Sequence, residues 1–215
     1  MVNTIHPSAN PLTDTWVTAT WEEFSIVVSR PEFEQARCYY DAGWMRIETM
    51  PIDFAHGRDN ALLAAAVSLY GTLKNIPFLS ITNGSFRKTG ERECQPDLAF
   101  YIGDTLPNIP RSNSLVDIDR YGSPTLVIEI ASTTLSDDLG QKRLLYERLG
   151  VAEYWVVQVE AATVIAFTIV DRGSRQISVS TVLPGLTLTT IESALQRSQT
   201  EDDGAVTRWL LQQFQ

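Results

Sequence analysis

The stretch Thr125-Leu126-Val127-Ile128-Glu129-Ile130-Ala131 decides the fold. It is apolar at nearly every position and rich in β-branched residues, which predicts a strand that is buried on both faces and therefore central in its sheet. A carboxylate in such a strand costs desolvation free energy unless it is paired or holds a metal ion. An ion pair with Arg143 or Arg120 would satisfy Glu129 structurally, but buried ionisable groups cluster at functional sites. Glu129 is therefore a candidate site residue.

A second acidic residue begins the apolar run Pro96-Asp97-Leu98-Ala99-Phe100-Tyr101, and a lysine follows in Asp137-Asp138-Leu139-Gly140-Gln141-Lys142. Two carboxylates that converge beside a lysine are the groups that Mg²⁺-dependent hydrolysis of a phosphodiester requires. Each residue also has a structural interpretation. A Pro-Asp pair often forms a turn, and Asp138 and Lys142, four residues apart on a helix, often form a solvated surface pair. Taken together, Asp97, Glu129 and Lys142 predict a metal-dependent nuclease.

His56 is one of two histidines in the chain and directly precedes a long helical pattern. A lone histidine is more often a structural or surface residue than a catalytic one. It would reach the acidic cluster only if its helix crosses the sheet.

The order of predicted elements indicates an α/β or α+β fold, a mixed sheet with helices on both faces. Residues 1–18 are predicted to form a flexible arm, and residues 19–215 a single domain.

The first predicted helix is short and begins with a capping box of Thr20 and Glu23. The others span 59–74, 137–149 ended by Gly150, 189–197 and 203–213. The predicted strands outside the two acidic runs are a hairpin within 37–50, 78–82 and 85–88 joined through Asn83-Gly84, 153–159, 164–170 and one near 176–182, with a long loop at 103–124.

The amino-acid composition limits the classes of protein and of binding site that this chain can form. The 215 residues are 44% hydrophobic and 20% charged, as in globular proteins, and the formal net charge is −9. This charge argues mildly against nonspecific wrapping of nucleic acid. Two cysteines and two histidines supply neither a disulfide framework nor a zinc site of the usual kind. With no secretory signal and no apolar run long enough to span a bilayer, a cytoplasmic protein is expected.

The chain lacks the motifs of several other classes of enzyme and nucleotide-binding protein. The chain contains no P-loop, no dinucleotide-binding glycine pattern and no nucleophile elbow.

Several stretches together resemble the Uma2 family of restriction endonucleases, within the PD-(D/E)XK nuclease superfamily. The match covers about 45–195. It is carried by His56 after Met50-Pro51, by Pro96-Asp97-Leu98-Ala99-Phe100, by Pro124 to Ser132 around Glu129, by Asp138, Lys142, Tyr146, Gly150-Val151 and Glu153-Tyr154-Trp155, and by Leu183-Pro184-Gly185-Leu186.

The resemblance implies a restriction-endonuclease-like mixed sheet flanked by helices, with Mg²⁺ (or Mn²⁺) held by Asp97, Glu129 and the carbonyl of Ile130. It also implies catalytic roles for Lys142 and His56, and DNA as the substrate. The superfamily places its lysine two residues after the second acid, where this chain has Ala131, so Lys142 is expected to supply the amine instead.

Three functional hypotheses follow. The first is an Mg²⁺-dependent DNA endonuclease, for which a homodimer is plausible because cutting both strands of a duplex favours two sites. The second is a nuclease-like fold that binds nucleic acid or protein without cutting. The third, a structural oligomer, rests only on the aromatic residues around Tyr154-Trp155, which suit a core equally well.

Overall fold

The computed structural model describes residues 13–49, 53–112 and 114–215. The strands are β1 (Val17–Thr18), β2 (Arg37–Asp41), β3 (Trp44–Glu48), β4 (Phe78–Thr82), β5 (Phe86–Lys88), β6 (Arg92–Cys94), β7 (Leu98–Ile102), β8 (Val116–Asp117), β9 (Leu126–Ala131), β10 (Glu153–Gln158), β11 (Thr163–Val170) and β12 (Gly173–Ile177). The helices are α1 (Trp21–Val28), α2 (Phe54–Leu73), α3 (Ile118–Tyr121), α4 (Leu135–Leu139), α5 (Gln141–Leu149), α6 (Leu188–Ser198) and α7 (Asp203–Gln213).

The described chain divides into two compact units. The first comprises the described residues of 13–49, 85–95 and 109–122, and it contains a sheet in the order β1-β3-β2-β6-β5-β8. Its apolar core is built around Phe24 of α1, with Tyr40 and Met45 from the β2–β3 hairpin. The capping box predicted for α1 is present, since the Thr20 hydroxyl accepts from the Glu23 N–H and the Glu23 carboxylate accepts from the Thr20 N–H.

The second unit comprises residues 53–84, 96–108 and 123–215, and its sheet has the order β12-β11-β10-β9-β7-β4. Strands β9 and β10 are parallel and the other neighbours are antiparallel, so the sheet is mixed. All six residues of β9 are buried, and the strand lies between β7 and β10. The predicted mixed α/β architecture and the central position of the strand that carries Glu129 are both confirmed.

Helix α2 packs along the core of this second unit. Its buried face presents Leu63, Ala66, Val67 and Tyr70 to a cluster that includes residues of β7, β9 and β10. Helices α6 and α7 close the same core. The sequence predicted the bounds of both to within one residue.

The structure corrects several of the sequence predictions. Strands β4 and β5 do not form a hairpin, because β4 pairs with β7 in one sheet and β5 pairs with β6 and β8 in the other. Helix α2 begins at Phe54 rather than at residue 59. The strand near 176–182 is Gly173–Ile177, and the loop at 103–124 contains β8 and α3.

A further correction concerns the helix predicted over 137–149, which is two helices separated at Gly140. The backbone of Gly140 has φ −102° and ψ −107°, outside the helical region, and a Cβ there would lie 2.7 Å from the Ser136 carbonyl oxygen. Gly150 ends α5 in the left-handed conformation, as predicted.

The predicted arm at 1–18 is described only from residue 13, and residues 1–12 lie outside the described part. Within it, Val17 and Thr18 pair with β3, which the sequence did not predict. Among the described helices, none is long and apolar enough to cross a membrane.

We expect Gly140→Ala to lower the free energy of unfolding by about 1–3 kcal/mol, because the new methyl group must displace the Ser136 carbonyl. Gly57→Ala is the matched control. It lies inside α2 with open space around its Cα, so the same substitution should raise stability by about 0.5–1 kcal/mol. Urea denaturation of both variants measures the difference, and a Gly140→Ala protein as stable as the wild type would contradict it.

Candidate active site

Glu129 and Asp97 come together because β7 and β9 are antiparallel neighbours. Leu98 pairs with Ile128, so the next position along the ladder places Asp97 opposite Glu129. The Ile130 N–H donates a hydrogen bond to Asp97 Oδ2 at 2.8 Å, which fixes this carboxylate against the backbone of β9. Both acidic side chains are about 1% exposed.

His56 also reaches this cluster, because the first turn of α2 lies beside the end of β9. Its Nε2 donates to Asp97 Oδ1 at 2.9 Å. The residue that holds this turn in place is Asp53, the N-cap of α2. One Asp53 oxygen accepts from the His56 N–H at 2.8 Å, and the other accepts from the hydroxyl of Ser132, directly after β9, at 2.6 Å. The same two hydrogen bonds, His56 first, hold the pKa of Asp53 below its ordinary value.

Sequence reasoning missed Asp53. The signal was present, since an aspartate three residues before the first buried helical residue has the spacing of an N-cap.

Lys142 is buried beside Glu129. Its Nζ lies 4.0 Å from Glu129 Oε1 and 3.0 Å from Asp138 Oδ1. The Thr134 hydroxyl donates to the other oxygen of Asp138 at 2.6 Å. Lys142 and Asp138 are both at most 2% exposed, so the interpretation of this pair as a solvated surface ion pair is wrong.

Arg143, which the sequence offered as a partner of Glu129, packs elsewhere in the second unit. Its guanidinium is 5.0 Å from the ring centre of Phe167. A cation beside Glu129 is Lys142, on the helix that the sequence had singled out.

Tyr146 completes the set of side chains around Glu129. Its hydroxyl donates to Glu129 Oε1 at 2.6 Å. Lys142 and Tyr146 are four residues apart on α5, so they face the same side of that helix, and Asp138 reaches Lys142 from α4. Sequence reasoning identified Tyr146 as part of a pattern but assigned it no contact.

The electrostatics of the cluster are unbalanced. Burial raises the pKa of Glu129 well above its ordinary value, and the carboxylates of Asp97 and Asp138 raise it further, against the lowering effect of Lys142 and Tyr146. Three carboxyl groups surround one ammonium group here, so ionisation of all three would leave an excess of two negative charges, which the raised pKa of Glu129 opposes. A divalent cation would neutralise that excess.

The donor set fits a hard cation of the Mg²⁺ type. Such an ion takes oxygen ligands and commonly binds through one or two carboxylates while keeping several waters. Asp97 and Glu129 supply two carboxylates, and the backbone of Ile130 lies against one of them. The part of the chain that the structure describes contains no group of three or more His, Cys, Asp or Glu residues arranged to hold a metal ion.

Ala131 occupies the position that the superfamily pattern gives to lysine. Residues two apart on a strand face the same side of a sheet, so Ala131 and Glu129 share a face. In this chain the ammonium group near Glu129 instead comes from α5, through Lys142.

Burial alone does not mark a site, as Glu153 demonstrates. It is fully buried, but one oxygen accepts from Trp155 Nε1 at 2.6 Å, and the other accepts from the Thr181 N–H and hydroxyl, both at 2.7 Å, and from the Val182 N–H at 3.2 Å. These donors satisfy the carboxylate and anchor the segment after β12. Glu129 differs because its neighbours include two further carboxylates.

Comparison with known proteins agrees with this fold. Residues 21–201 match the model of the Uma2 family, described as "Putative restriction endonuclease". A solved structure from Anabaena variabilis, described as a "putative nuclease belonging to DUF820", is similar to 82% of this chain and 99% of its own, with a TM-score of 0.55 and 20% identity. A search of curated proteins found no match.

The raised pKa of Glu129 predicts how stability depends on pH in EDTA. Because the folded-state pKa lies above the unfolded value, folding favours the protonated carboxyl. The stabilisation that Glu129 gains from this preference is complete at pH values below the unfolded-state pKa. It is lost as the pH rises through the folded-state pKa. Glu129→Gln keeps a neutral group, so it should lose less unfolding free energy than the wild type as the pH is raised from acid to alkaline. Parallel curves from urea denaturation would contradict this.

Proposed function

The chain belongs to the Uma2 family, and on that premise we propose that it is an endonuclease that hydrolyses phosphodiester bonds in DNA with Mg²⁺, or with Mn²⁺ in its place. The observation that supports the proposal most is the buried cluster of Asp97, Glu129, Asp138 and Lys142, in which three carboxyl groups surround one ammonium group. Such a cluster is costly for a purely structural core.

Asp97 and Glu129 would hold the ion, together with the carbonyl of Ile130. Bound there, Mg²⁺ supplies charge neutralisation at the scissile phosphate and activates water for attack. In the reaction a water oxygen bonds to phosphorus, one P–O ester bond breaks, and the leaving oxygen takes up a proton.

The remaining residues orient the reacting groups. His56 holds Asp97 through one oxygen while the Ile130 N–H holds it through the other, which leaves the carboxylate a single orientation. Tyr146 does the same for Glu129.

Lys142, fixed by Asp138, would stabilise the negative charge that develops on the phosphate oxygens. Because this ammonium is held in place before substrate binds, no free energy is spent on ordering it during the reaction.

A second candidate is a nuclease-like fold that binds nucleic acid without cutting it, and Ala131 in place of the superfamily lysine favours it. A homodimer, with one site for each strand of a duplex, also remains a proposal.

The direct test is cleavage of supercoiled plasmid by purified protein with Mg²⁺ or Mn²⁺. We expect nicking by the wild type, loss of at least about a hundredfold in rate for Asp97→Asn and Glu129→Gln, and no nicking in EDTA. Glu160→Gln, the same chemical change on an exposed turn of the second unit, is the matched control and should cut like the wild type.

Undiminished cutting by Glu129→Gln would refute the assignment of the site. An inactive wild type that still binds the plasmid would favour the binding function instead.

A further inference from the structure

An exposed aromatic ring lies two residues from His56. Phe54, the first residue of α2, is 80% exposed, more than any other large apolar side chain in the described ranges. Single exposed apolar residues are common on protein surfaces and need no explanation by themselves. Two further features at the same place distinguish this one.

The first feature is a cation held against the ring. The Arg58 guanidinium lies 6.0 Å from the centre of the Phe54 ring, one helical turn further along α2. It is kept there by Asp203 at the start of α7, whose Oδ1 accepts from Arg58 Nη2 at 2.6 Å. Phe54 and Arg58 therefore place an exposed aromatic ring beside a guanidinium whose position is fixed by its ion pair with Asp203.

The second feature is a cavity of about 570 Å³ beside the ring, a volume typical of small-molecule sites. Its lining includes Phe54, Arg58 and Asp203, and small residues of α2 leave room between them. Asp53 also lines it. Because Asp53 contacts both His56 and Ser132, the cavity begins at the residue that supports the candidate active site.

We infer that Phe54 and Arg58 form a stacking site for an unpaired nucleobase of the substrate strand, at the turn of α2 that also carries His56. The chemistry fits a base better than a purely apolar ligand. The ring and the guanidinium stack on a π face, and the carboxylates of Asp53 and Asp203 can accept hydrogen bonds from exocyclic amines. This inference rests on the proposed nuclease function and adds a preference for single-stranded or frayed DNA.

The test measures binding, not cutting. Full-length protein in EDTA is titrated into a short fluorescein-labelled single-stranded DNA, and separately into the same sequence as a fully paired duplex, and fluorescence anisotropy is followed. We expect Phe54→Ala to weaken single-strand binding by about 5- to 150-fold, the range for loss of one base–aromatic stack, and to change duplex binding little. Phe54→Trp should retain the affinity of the wild type, because it keeps a stacking face.

Val170→Ala is the matched control. It shortens another highly exposed apolar side chain, 66% exposed and at the end of β11, and should bind like the wild type. Phe54 is too exposed for its loss to unfold the protein, and circular dichroism checks this directly.

Two results would overturn the inference. One is equal single-strand affinity of wild type and Phe54→Ala, which would leave the cavity to a protein partner or a second copy of the chain. The other is a wild type that does not bind single strands. Failure of the nuclease proposal can be told apart from failure of the stacking inference. A protein that binds single strands through Phe54 but never cuts plasmid would refute only the nuclease proposal.

Discussion

The burial of Glu129 in a central strand, against two other carboxylates, is the constraint on which the rest of the second unit depends. A charged group at that position is tolerated only if its neighbours compensate for lost hydration. Lys142 and the Tyr146 hydroxyl do so in part, and the raised pKa of Glu129 records what remains uncompensated. A divalent cation would remove the imbalance, which is why we interpret the cluster as a metal centre.

Three features of the fold bring the side chains around Glu129 together. Antiparallel pairing of β7 with β9 sets Asp97 opposite Glu129. The hydrogen bonds of Asp53 tie the start of α2, and with it His56, to the end of β9. The break at Gly140 separates α4 from α5, the two short helices from which Asp138 and Lys142 approach the sheet. The same turn of α2 carries the exposed ring of Phe54, so the candidate active site and the proposed stacking site share one support.

Local patterns predicted the parts of the fold that depend on local interactions. The strand around Glu129, the capping box of α1 and the glycine that ends α5 follow from patterns a few residues long. The separation of β4 from β5 and the second sheet do not, because short strands pair according to distant chain segments. The burial of Lys142 was equally inaccessible, since a spacing of four residues from Asp138 is the same for a surface pair and a buried one.

Anomalous diffraction from crystals of the protein soaked in Mn²⁺, collected at the manganese absorption edge, tests most directly whether Asp97 and Glu129 bind a divalent metal ion. We predict an anomalous peak within bonding distance, about 2–2.5 Å, of carboxylate oxygens from both Asp97 and Glu129. We also predict that this peak is lost in Glu129→Gln crystals. Manganese bound only at other residues, or an unchanged peak in the variant, would contradict the assignment of this cluster as a metal centre.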